Sequence, residues 1–170
     1  MIRFAALLVI VGACGLFGLL MAQRYALRPK QLREFHQAVE TLQTEISYGA
    51  TPLPQALKTA ATGLEASIGG FFTEVARRIE AGFSAEQAWH AMIEQEQGSF
   101  CLSEADWQIM RTIGNGLGTT DCLEETKKLR LASIYLTEAE AQAKERSAKL
   151  TRLWSYSGFL IGATIALVIL

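Results

Sequence analysis

The sequence predicts an all-α protein, a helical bundle of about six helices between N- and C-terminal transmembrane helices. Three observations predict it. Apolar residues recur at helical spacing through most of the chain, and no segment alternates as a half-buried strand does. Phe4 to Ala22 and Trp154 to Leu170 carry no charged residue at all. Lys and Arg gather on the inner flanks of both runs. The chain divides accordingly into a transmembrane helix over 4–22, a cytosolic helical bundle over 23–153 and a second transmembrane helix over 154–170.

Phe4 to Ala22 covers about 28 Å as a helix, enough to span a bilayer core. A cleaved signal peptide fits poorly, because no small-x-small site leads into a polar start. Val11-Gly12-Ala13-Cys14 resembles a lipobox, and a lipoprotein with an extracytoplasmic domain is the competing reading; yet Gly15 to Ala22 stays apolar, unlike a polar tether. Arg24, Arg28, Lys30 and Arg33 follow this run, and Lys144, Arg146, Lys149 and Arg152 precede the other. Cations favour the cytoplasmic side, so the intervening domain is expected in the cytosol with both termini across the membrane.

Arg28-Pro29 is expected to break or kink the chain, with Pro29 in the first turn of a new helix. From Lys30 to Tyr48, Leu32, Phe35, Val39, Leu42 and Ile46 form a heptad stripe, with His36 beside it, and Gly49 ends the helix. Thr51 then caps the next helix and Pro52 takes its first position. The buried face there is Leu53, Ala56, Leu57, Ala60 and Leu64. Ser67 is expected to cap a third helix reaching Ala81, with Ile68, Phe71, Phe72, Val75 and Ile79 inward and Gly82 as the stop. Ser84-Ala85-Glu86-Gln87 is a capping box for a fourth helix that buries Ala88, Trp89, Met92 and Ile93. Ser103-Glu104-Ala105-Asp106 opens a fifth, with Ala105, Ile109, Met110 and Ile113 as its face.

Gly114-Asn115-Gly116-Leu117-Gly118-Thr119-Thr120-Asp121 invites comparison with a phosphate loop. Its glycines have the wrong spacing, it follows a helix, and no Gly-Lys-Ser/Thr succeeds it. A tight turn between closely packed helices accounts for it, with Asp121 or a neighbouring Thr as the next cap. The last amphipathic helix runs from Asp121 to Leu153. Leu129, Leu136, Ala143 and Leu150 lie at heptad spacing, Ala132, Ala139 and Leu153 on the adjoining row. Charges, including Glu138, Glu140, Lys144, Glu145, Arg146 and Lys149, take the opposite face. This helix runs directly into the second charge-free stretch, which covers about 25 Å with Trp154 and Tyr156 at its border. Gly158 and Gly162 in it have a GxxxG spacing that would let helices approach closely.

The 170 residues carry a net charge of −1, which gives no reason to expect nucleic acid. Cys14, Cys101 and Cys122 form no pair at metal spacing. His36 and His90 stand in no nucleophile motif, and HExxH, Walker and GxSxG motifs are all absent from the sequence. No cofactor, metal or small-molecule substrate is expected, and no enzymatic activity. A membrane-embedded peptidase or transferase would need polar or ionisable groups inside the spans, and these have only Cys14, Thr164 and a few Ser and Tyr near the edge. Exposed cations near the glycine turn and on the last helix, Arg111, Lys127, Lys128 and Arg130, are the candidate partner contacts.

Several of these stretches carry a family resemblance. Arg28-Pro29-Lys30-Gln31-Leu32-Arg33, then Leu42 to Leu53 with the core Tyr48-Gly49-Ala50-Thr51-Pro52, and the turn Ile113 to Asp121 with Gly114, Leu117, Gly118 and Asp121, resemble the stage III sporulation protein AB family of endospore-forming bacteria. Length, terminal spans and motif order agree along the whole chain. Where the family pattern carries Gln a few residues after that Asp, this chain has Glu125-Thr126. The resemblance implies a bundle similar to the cytoplasmic domain of type II secretion and type IV pilus platform proteins. It also implies a place in the channel complex joining mother cell and forespore: in the outer forespore membrane, facing the mother-cell cytosol. Its expected partners there are the lipid bilayer, the channel proteins and a secretion-type ATPase.

Overall fold

α1 runs from Ile2 to Gly49, α2 from Leu53 to Ala60, α3 from Ala66 to Glu80, α4 from Ala85 to Glu96, α5 from Glu104 to Gly114 and α6 from Cys122 to Ile169. The computed structural model describes the backbone of residues 2–49, 51–118 and 122–169, and the side chains of 25–48, 51–118 and 123–149 with a few earlier ones. Among the described residues there are six helices and no strand. Contacts divide the chain into two compact units, Met1–Pro29 with Ala141–Leu170, and Lys30–Glu140. The charge-free runs 4–22 and 154–170 belong to the first, and their side chains lie mostly outside the described residues. Among the described residues no helix is long and apolar enough to cross a membrane.

The expected break at Arg28-Pro29 does not occur. Pro29 lies inside α1. A proline removes a single backbone hydrogen bond, and the strong apolar stripe that follows keeps the chain helical.

The Lys30–Glu140 unit is built around that stripe. Leu32, Phe35, Val39, Leu42 and Ile46 are all buried, as their heptad spacing predicts, together with Ala38. Phe35 sits at the centre of an aromatic cluster, with ring centroids 5.8 Å from Phe71, 5.9 Å from Phe72 and 5.5 Å from Phe100. Trp89 meets Phe71 edge-on at 5.2 Å and Phe72 at 5.7 Å. Rings from α1, α3 and α4 thus interlock, mostly in the edge-to-face geometry their quadrupoles favour.

Two expected caps are replaced by contacts from elsewhere in the fold. Pro52, not Thr51, is the N-cap residue of α2, and no side chain caps that end. The Thr51 hydroxyl instead donates to Glu45 Oε2 at 2.9 Å. α3 starts at Ala66, so Ser67 lies inside it and the N-cap residue is Glu65, without a side-chain cap bond. Its first turn is secured by α1: the Glu65 N–H donates to Glu34 Oε2 at 2.9 Å, and Lys30 Nζ reaches Glu65 Oε2 at 3.0 Å. A long-range carboxylate does the work of a local hydroxyl. Thr51→Ala is therefore expected to cost about 1 kcal/mol through the lost bond to Glu45. A double-mutant cycle with Glu45→Ala checks it: additive melts would mean the two side chains do not interact.

The capping box at Ser84 forms as predicted, and a second one opens α5 where Ser103 was expected to start that helix. Ser84 pairs with Gln87 and Ser103 with Asp106, each side chain reaching the other's backbone N–H. On α5 the inward face differs from expectation. Trp107 is buried with Met110 and Ile113, while Ala105 is exposed and Ile109 half-buried. Turning the helix by half a step inters an indole instead of a methyl, which removes far more apolar surface from water.

On α6, Leu129, Ala132, Leu136 and Ala143 are buried as expected, and Ala139 is half-buried. Glu140 is buried too, contrary to its expected place among the solvent charges. It falls one heptad after Ser133, on a row that faces α1. His36 Nε2 lies 2.8 Å from Ser133 Oγ and 3.1 Å from Thr137 Oγ1 across that interface.

Candidate interaction surface at the motif end of the bundle

The two motif stretches, far apart in sequence, meet at one end of the Lys30–Glu140 unit. Ser47 near the end of α1 hydrogen-bonds Thr126 near the start of α6 at 3.1 Å. A Cβ added to Gly118 would lie 3.1 Å from Ala85 Cβ and 3.4 Å from Leu53 Cδ2. The turn between α5 and α6 therefore seats against the first residues of both α2 and α4.

Each glycine of the turn has a distinct reason. Gly118 has φ +74, the left-handed region that costs L side chains. Gly114 ends α5 under the Trp89 ring, where a Cβ would stand 2.5 Å from Trp89 Cδ1. Gly116 lies beneath the Lys128 chain, with a would-be Cβ 2.7 Å from Lys128 Cδ. Leu117 plugs the turn into the core and is fully buried. Beside it, His90 Nε2 contacts Asn115 Oδ1 at 2.7 Å, and the Trp89 indole donates to the Met110 carbonyl at 2.8 Å. Asp121 and the threonines before it, the expected cap of α6, lie outside the described residues.

Glu125 closes the turn from the α6 side. Its Oε1 accepts the Gly118 N–H at 3.1 Å, and the residue is buried. Burial pushes its carboxyl above the ordinary glutamate value of 4.5, against the opposing pull of the Gly118 N–H and the Lys128 charge. A raised folded pKa means that Glu125 contributes most to stability below the unfolded value. That contribution is lost as pH rises through the folded one. Glu125→Gln keeps an oxygen for Gly118 and removes the buried charge. It is expected to raise stability at pH 8 by up to about 1 kcal/mol and to leave pH 4 nearly unchanged. Melts at both pH values check this, and parallel wild-type and variant curves would refute it.

The segments that meet at this turn carry exposed apolar side chains. Tyr48 is 89% exposed, and Phe83 and Leu123 are each more than half exposed. Neither Phe83 nor Leu123 stood out in the sequence, since each is an isolated apolar residue in a polar stretch. Gly49 ends α1 just after Tyr48, and Pro52 starts α2 through bonds from Gln55 and Ala56 to its carbonyl.

The four candidate cations separate into two groups. Lys127, Lys128 and Arg130 lie exposed on the first turns of α6, and none makes an ion pair among the described residues. Arg111 is committed to its own helix: its guanidinium lies 2.6 Å from Glu104 Oε1, a hydrogen bond that holds the Glu104 carboxyl below its usual range. Arg28 and Pro29 lie within α1 in the other compact unit.

Comparison with known proteins agrees with this architecture. The family model for stage III sporulation protein AB matches residues 3–170. Stage III sporulation protein AB of Bacillus subtilis (strain 168) is 29% identical over 171 residues, covering the whole of both chains. A solved structure of a stage III sporulation protein AB superposes with a TM-score of 0.67 at 27% identity, over 72% of this chain and 97% of that one. The chain belongs to the stage III sporulation protein AB family.

Proposed function

We propose that this chain is a membrane-anchored platform of the channel complex that joins mother cell and forespore during endospore formation. Its two charge-free ends are the anchors. Its helical bundle is the cytosolic part, which docks a secretion-type ATPase and positions channel proteins. The observation that carries the reading is the motif end of the bundle. There, two separated sequence motifs fold into one seat that presents Tyr48, Phe83 and Leu123 beside exposed Lys127 and Lys128. An exposed apolar patch with a charged rim is a protein-binding surface in general. The cations flanking each charge-free run support a cytosolic bundle. The role is mechanical, and neither relative bears the name of an enzyme.

Partner recruitment is tested by charge reversal at positions that do not support the fold. Lys128 is unsuitable, because its chain covers Gly116 and its charge offsets Glu125. Lys127→Glu with Arg130→Glu should lower recovery of the ATPase with the platform about tenfold, since opposed like charges cost an interface heavily. The melting temperature should stay nearly constant, as for other surface changes. Full recruitment in that variant would remove these cations from the docking surface.

Topology is tested separately. Gln95→Cys, in a chain with Cys14, Cys101 and Cys122 replaced, should react with a membrane-impermeant thiol reagent only after lysis. Labelling of intact cells would place the bundle outside, exclude ATPase docking and favour lipidation at Cys14.

A further inference from the structure

We infer that the outer face of α6 between Leu123 and Tyr135 docks an acidic amphipathic helix of another protein. α6 carries two apolar rows. Leu129, Ala132 and Leu136 are buried against the bundle. On the opposite side Leu131, Ile134 and Tyr135 are each about half exposed, and Leu123 lies further out at the motif end. At about 100° per residue these four occupy roughly a third of the helix circumference, facing away from the core row. A helix that needed only to pack inward would carry polar residues there. The spacing i, i+3, i+4 is the one an added helix engages.

Charge identifies the occupant. In this unit Lys30, Lys58, Arg77, Arg78 and Arg111 each hold a carboxylate of the chain. Lys127 and Arg130, beside the apolar stripe, and Arg33 on α1 hold none among the described residues, Lys128 lies near only the buried Glu125, and neighbouring Glu124 pairs with none of them. Unpaired cations along an apolar row complement a partner row flanked by Asp and Glu. Glu124 and Glu138 stand on the same face at the two ends of the stripe. A partner helix can place its carboxylates between them, against Lys127 and Arg130, whereas an anionic lipid surface would press both glutamates toward its headgroups. The inference rests on the platform reading: copies rooted in one membrane would meet with α6 parallel, Lys127 against Lys127, which disfavours a second copy.

The test places a benzophenone amino acid at position 134 in the full chain, in sporulating cells, and maps the cross-linked peptide. The expected product joins position 134 to a carboxylate-flanked amphipathic helix of a different protein. Its yield should fall about tenfold in the Lys127→Glu, Arg130→Glu background, the effect of roughly one charged contact at an interface. Cross-linking to lipid, to a second copy or to a segment without carboxylates would overturn the inference. So would an absent product, or a yield indifferent to charge reversal. The Gln95→Cys labelling, run in the same cells, reads the platform topology independently, so loss of one result leaves the other interpretable.

Discussion

Gly114→Ala is expected to destabilise the bundle by about 2 kcal/mol and to lower its melting temperature by roughly 10 °C. The added methyl would stand 2.5 Å from Trp89 Cδ1, 3.1 Å from Trp89 Cγ and 3.3 Å from His90 Nε2. The indole has little freedom to step aside. It is fully buried, edge-on to Phe71 and Phe72, and its N–H is held by the Met110 carbonyl. An opposing gain exists, since Ala suits a helix better than Gly by up to about 1 kcal/mol. Gly114 is the last residue of α5, where that gain is smallest, and overpacking of about 1–3 kcal/mol wins. Gly70→Ala is the internal control. It lies within α3 with nothing within 4 Å of the added Cβ, so the same change there should be neutral or stabilising by up to about 1 kcal/mol. Equal effects at the two sites would mean that Trp89 yields freely.

What could be read from the residues follows from which forces act locally. The stripe from Leu32 to Ile46, the capping box at Ser84 and the helix start at Ser103 were legible because period and cap are properties of a few consecutive residues. The α6 core row Leu129, Ala132, Leu136 was legible for the same reason. The misreadings at Thr51, Ser67 and Glu140 come from contacts between distant segments. Thr51 has the residue type of a cap, but Glu45 on α1 takes its hydroxyl. Ser67 lost its expected role because Glu34 reaches the start of α3 from α1. Glu140 looked like a solvent charge, yet its row is the one α6 turns toward α1. The motif end was half legible. The glycines announced a tight turn, but only the folded chain shows that Gly118 is pressed against Leu53 and Ala85. The exposed row Leu131, Ile134, Tyr135 was present in the sequence at helical spacing. It was obscured by the stronger heptad of the inner row.

Trp89→Leu is expected to cost about 3 kcal/mol on its own, and the loss should shrink when Gly114→Ala is added. The single change removes the edge-on contacts to Phe71 and Phe72 and takes the indole donor from the Met110 carbonyl. It also leaves a void where Trp89 Cδ1 and Cγ crowd Gly114, the space an alanine methyl would occupy. In the leucine background Gly114→Ala therefore fills a cavity, and its helix-forming advantage is no longer overridden. The sum of the single losses should exceed the double mutant's loss by at least about 1 kcal/mol, well outside the error of additivity for independent sites. Thermal melts of the four proteins measure this coupling. A coupled result places the constraint on Gly114 in the indole ring, which makes that glycine a packing requirement of the α4–α5 contact. Additive losses would place it instead in the His90 side chain or in the backbone leading to Asn115. The motif glycine would then be set by the turn, and Trp89→Leu would report only the lost aromatic core.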